Sequence, residues 1–186
     1  ALRRSAIAAA VLSTVATFTQ MAAVLAVTDV ATLRVLAVPL ACGGATAAVY
    51  GALWTWQGLR LSAPDPVQGS VVFSVKASLL LGLMITVVLL VSAAMRVWLG
   101  DRGLDIATGV AGFADTHAAA VSVATLAAAG RIEPAATAVP ILIALTSNSL
   151  SKAVIARANG DWDYARPVLL GLVMVLTATW LGWWLG

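Results

Sequence analysis

Charge is scarce in this chain: Asp, Glu, Lys and Arg together make up 10% of its 186 residues. Soluble domains carry roughly 25%. Cysteine and histidine each occur once, as Cys42 and His117. A lone cysteine excludes an internal disulfide and any cysteine-rich zinc or iron–sulfur site. A lone histidine excludes a bis-histidine haem within one chain, and a stable catalytic zinc site normally needs three protein ligands. No H-E-x-x-H, G-x-S-x-G or Walker loop occurs either. Neither an enzyme nor a bound cofactor is expected, and the identity of any metal stays open.

What fills the chain is apolar side chain, 61% of all residues, with a mean hydropathy of +0.98. A soluble domain of this size leaves too much surface in water to hide that fraction. A lipid bilayer is the solvent that suits it. The net charge of +3 is a property of loops and not a nucleic-acid footprint. The chain opens at Ala1 without methionine, which reads as a piece of a longer protein. Its first apolar run continues to Val27 without the cleavage site of a signal peptide.

Six apolar segments can be drawn, at 5–27, 35–56, 75–99, 104–129, 135–158 and 166–185. Each is close to the roughly 20 residues needed to cross the hydrocarbon layer. Turn sequences separate them, among them Gly100-Asp101-Arg102-Gly103 and Gly130-Arg131-Ile132-Glu133-Pro134, with Pro134 suited to a first helical position. Trp54, Trp56, Trp98, Trp162, Trp180, Trp183 and Trp184 fall at or near segment ends, the headgroup level that indole favours. The expected fold is an all-α integral membrane protein of about six transmembrane helices in one domain, 1–186, in a bacterial inner membrane. With both termini on one side, the loops and segment ends of the two sides hold five Lys and Arg residues each, so charge does not set the orientation.

The two halves share short matches in the same order. Val15-Ala16-Thr17-Phe18 pairs with Val110-Ala111-Gly112-Phe113, Ala37-Val38-Pro39-Leu40 with Ala138-Val139-Pro140-Ile141, and Leu79 to Leu83 with Val168 to Leu172. Repeats of three spans, 1–99 and 100–186, would have opposite orientations, the inverted design of many transporters, with a site near the midplane.

Polar groups inside spans are costly and face a cavity or one another. The fourth segment carries Asp115 and His117 mid-span. Two residues apart on a regular helix, they point about 200° apart and converge only if the helix opens. Gly109 and Gly112 would make such a break less costly. The fifth segment carries Thr146-Ser147-Asn148-Ser149-Leu150-Ser151-Lys152, in which Asn148 and Lys152 share a face. An Asp115–Lys152 ion pair would brace the two segments, and Gln20 is the repeat counterpart of Asp115.

Gly112-Phe113-Ala114-Asp115-Thr116-His117-Ala118 and Ala144 to Lys152 together resemble an uncharacterised bacterial polytopic membrane domain. That domain is often fused behind an MgtC/SapB-type domain. The resemblance would span nearly the whole chain and implies its fold; the domain's activity is unassigned. Its pattern often has a second acidic residue where this chain has His117, so a divalent-cation role is not carried over.

The expected function is transport or channelling of a small ion or solute, a cation being preferred, by a homo-oligomer embedded in the bilayer. Asp115, His117, Ser147, Asn148, Lys152 and Gln20 are the expected site residues. The rival expectation is a scaffold or regulatory module that binds a partner protein.

Overall fold

The computed structural model describes residues 2–61, 86 and 104–186, and among them there is no strand. Six helices follow in order: α1 (Leu2–Thr28), α2 (Val30–Leu61), α3 (Leu104–Ala114), α4 (Thr116–Ala128), α5 (Ala138–Asn159) and α6 (Trp162–Leu185). A 3-10 turn, Pro134–Thr137, leads into α5 with Pro134 at its start. Among the described residues, four stretches are long and apolar enough to cross a membrane: Ala6–Thr28, Val30–Gln57, Pro134–Ala158 and Trp162–Leu185. The expected third span, 75–99, lies outside the described residues apart from position 86. The expected fourth is two short helices instead of one long one.

Two helices start earlier than the apolar pattern suggests, because caps and not hydropathy begin a helix. Asp29 starts α2: its carboxylate accepts from the Thr32 N–H at 2.9 Å and the Thr32 hydroxyl at 2.7 Å. Asp161 starts α6 by accepting from the Tyr164 N–H at 3.0 Å. At Asp29 a single residue ends one helix and starts the next. Its N–H bonds back to Leu25 O, and its carbonyl accepts from Leu33 N.

The chain reverses there. A Cβ placed on Gly44 would touch Phe18 at 3.5 Å, and one on Gly51 would touch Val11 at 3.4 Å, so α1 and α2 lie antiparallel. The α6 helix also opposes α2. The Tyr50 hydroxyl donates to Pro167 O at 2.8 Å, while Gly182 sits beside Pro39 and Cys42. One end of the bundle packs Ile7, Val11, Ala156, Val168 and Leu172, with Trp54 and Tyr164 against them. The other packs Met21, Leu25, Leu36, Ile141 and Leu142.

Those two clusters fix directions. Both α2 and α5 run from the second cluster to the first, so they point the same way. An inverted repeat would oppose this matched pair, and these two helices are therefore not related by inversion. The amino-terminal end of α1 and the carboxy-terminal end of α6 lie at opposite ends of the bundle, not at one side as the loop-charge reading assumed.

Candidate functional site

The fourth apolar segment breaks at Asp115, whose backbone is extended with φ −152° and ψ 106°. The break repeats the Asp29 junction: Asp115 N bonds to Ala111 O, and Asp115 O accepts from Ala119 N. The carboxylate caps α4 by accepting from the His117 N–H at 2.8 Å. Ala111 and Ala119 both join a cluster with Ala144 of α5. In a continuous helix those two alanines would stand about 12 Å apart, so the chain bends sharply at Asp115. The halves have 11 and 13 residues, and at 1.5 Å per residue neither reaches the roughly 30 Å of the hydrocarbon layer.

Gly109 and Gly112 are not what opens the helix. A Cβ on Gly112 would stand 2.5 Å from Ala144 O and 2.6 Å from its Cα, and one on Gly109 would stand 2.9 Å from Ile143. These glycines let α3 press its backbone onto α5. The break itself comes from the aspartate, whose side chain replaces the helical partner of the His117 N–H.

Thr17 is the meeting point. It stands at the centre of the span Ala6–Thr28 and is buried. From α4, His117 Nε2 lies 3.3 Å from the Thr17 carbonyl oxygen. From α5, Lys152 Nζ donates to Thr17 Oγ1 at 2.9 Å and to Ser13 O at 3.4 Å. The Thr17 hydroxyl in turn donates to Ser13 O at 2.9 Å. Helical side chains lean toward their own amino terminus, which carries the ammonium of Lys152 inward along α5 instead of out to the headgroups. Ser151, its neighbour, donates to Phe113 O at 3.2 Å and so satisfies a carbonyl freed at the end of α3.

The break does bring Asp115 and His117 together. His117 Nδ1 lies 3.3 Å from Asp115 Oδ1, with side chains 26% and 49% exposed respectively. Both ring nitrogens face oxygen acceptors, so a neutral ring can donate to one at a time and only the imidazolium to both. Among the described residues no ion pair joins Asp115 to Lys152; the lysine turns to α1. Ser147 is buried under Gly109. Asn148 is half-buried, and Gln20 is exposed and takes no part in this hydrogen-bonded group.

Sequence reasoning missed Ser13 and Thr17 as site residues. Their signal was a pair of hydroxyls four apart in the middle of the first span, which places them on one helix face. Thr116, the first residue of α4, was also missed: its hydroxyl is buried without a hydrogen-bond partner. Among the described residues no group of three or more His, Cys, Asp or Glu could hold a metal ion.

Helices of membrane length around a bent, interrupted helix, with polar groups gathered at the interruption around the buried Thr17, define a polytopic membrane protein. The family model described as "Domain of unknown function (DUF4010)" matches residues 1–160, and the chain belongs to that family. No curated protein and no solved structure matches it.

Proposed function

We propose that the protein moves a small ion or solute across a membrane, by way of the polar centre where α1 and α5 meet the break between α3 and α4. The observation that carries this reading is the interruption at Asp115 beside Thr17, the central residue of the first span. Extended backbone at that depth is tolerated where it is buried in protein or lines a water-filled cavity. Broken helices of this kind supply transporters with free backbone dipoles at the substrate. Asp115, His117 and Lys152 bring ionisable groups there, and Ser147 and Asn148 add polar groups on α5.

In this reading the protein works as a homo-oligomer in a bacterial inner membrane, and fusion behind an MgtC/SapB-type domain would place it beside ion homeostasis. The preference for a cation weakens because the ammonium of Lys152 reaches inward to the same polar centre as Asp115, which caps α4 through Oδ1.

Reconstituted protein is tested by flux into proteoliposomes with Na⁺, K⁺, Mg²⁺, Cl⁻, H⁺ and small organic anions. Asp115→Asn keeps a cap and removes the charge, so it is expected to fold and to lose flux. A correctly inserted wild type that carries none of these solutes defeats the proposal in favour of a scaffold.

A further inference from the structure

A pocket of about 180 Å³ opens between α1, α5 and α6, and Lys152 and Ser13 are its polar lining residues beside Tyr164. Ala10, Ala156, Val168 and Leu172 form apolar wall. It lies at the end of the bundle where Ile7, Val11 and Trp54 pack, between that end and the central Thr17. The volume is far above the roughly 10–15 Å³ that one water needs. It is also below the ~300–1,000 Å³ of pockets for drug-sized molecules. A solute of a few heavy atoms fits.

The charge inside this pocket is of one sign. An ammonium has three donors and no acceptor. Two of the Lys152 donors go to neutral oxygens, Thr17 Oγ1 and Ser13 O, and no carboxylate among the described residues pairs with it. The Ser13 hydroxyl already donates to Ala10 O at 2.9 Å. One Lys152 N–H therefore remains for a ligand. Tyr164 lines the same pocket. Lys152 is half-buried, and a charge at this depth with only neutral partners is stabilised when a counter-charge joins it. A cation entering here would face the ammonium directly.

We propose that this pocket binds a small organic monocarboxylate, with its carboxylate on Lys152 Nζ and its carbon tail against the wall of Ala10, Ala156, Val168 and Leu172. One ammonium matches one carboxylate, and the apolar lining discriminates against a bare inorganic anion, whose hydration shell those walls cannot replace. The inference deepens the transport reading by naming a substrate class and rests on it for the role of the site, though not for binding.

The test is equilibrium dialysis of the full chain in nanodiscs against labelled propionate, chloride and rubidium. Saturable propionate binding is expected, and Lys152→Met is expected to weaken it roughly tenfold to hundredfold, the loss of one charge-assisted contact. Ala10→Val narrows the wall and leaves the ammonium, so it should weaken propionate more than acetate. Absence of saturable propionate binding to the wild type overturns the proposal, whatever the variants do. So does propionate binding unchanged in Lys152→Met, chloride bound as tightly as propionate, or equal weakening of both acids by Ala10→Val. Uptake into proteoliposomes separates the two readings. Propionate bound but not carried sinks transport and leaves this site standing; rubidium carried without propionate binding does the reverse.

Discussion

Lys152 of α5 donates a 2.9 Å hydrogen bond to Thr17 Oγ1 of α1, and the same Thr17 offers its carbonyl oxygen to His117 at the start of α4. One small hydroxyl residue at the centre of the first span thus ties together three helices that are far apart in sequence. Each contact supplies a polar partner where lipid supplies none.

Thr17→Val keeps the shape of the side chain and removes the acceptor. A hydrogen bond between transmembrane helices is worth about 0.6 kcal/mol on average and more when one partner is charged. The variant should lose roughly 1 kcal/mol in denaturant unfolding from micelles, and Thr17→Ser should recover most of it. Equal stability of all three proteins would show that Lys152 finds another partner at no cost.

Gly112→Ala puts a methyl group onto the backbone of Ala144, which has no flexible end to move away. Overpacking of this kind costs about 1–3 kcal/mol, and a backbone contact belongs at the upper end. Gly44→Ala is the control, since its Cβ would meet Phe18 at an ordinary 3.5 Å. The first variant should unfold at distinctly lower denaturant and the second should not.

Thr116→Val removes a buried hydroxyl that has no partner. Leaving such a group unsatisfied costs about 1–3 kcal/mol, so this variant should be more stable than the wild type by roughly 1 kcal/mol. A loss of stability would mean that the hydroxyl is used, by water or by a solute at the bend.

Asp29 gives a pH dependence whose sign can be worked out. The Thr32 hydroxyl, then the Thr32 N–H, and more weakly the Ala31 N–H hold its carboxyl below the ordinary value of 3.8, against a small opposing effect of burial. A lowered folded value means that the charged form is favoured in the fold. The stability it adds is whole above 3.8 and is lost as pH falls through the lower folded value. Asp29→Asn still caps α2 and does not titrate. The stability difference between wild type and variant, followed down from neutral pH, should hold steady and then shrink in that acid window; a flat difference down to pH ~2 would reject the assignment.

Much of this was legible in the chain itself. Long apolar runs at 5–27, 135–158 and 166–185 became helices, because length and hydropathy are local properties. The interval between Asp115 and His117 already implied that the two converge only on an opened helix. The cause of the opening was misplaced onto Gly109 and Gly112, since a sequence does not tell a glycine that bends a helix from one that admits a neighbour. The Asp115–Lys152 pair failed for a similar reason: opposite charge suggests a partner, but the lean of Lys152 along α5 carries it to Thr17. Gln20 was chosen through a repeat register, and its exposure on α1 leaves it outside the group.

By itself, then, the sequence determined the solvent of this protein and its material. Its scarcity of charge demands lipid around it, its apolar runs demand helices, and its few polar residues in mid-span mark where helices must satisfy one another. The tertiary structure alone decided which of those residues meet. The bend at Asp115, the close approach at Gly112 and the direction of Lys152 depend on how helices distant in sequence stack. That stacking gathers Ser13, Thr17, His117 and Lys152, because a polar atom at that depth is stable only beside another one.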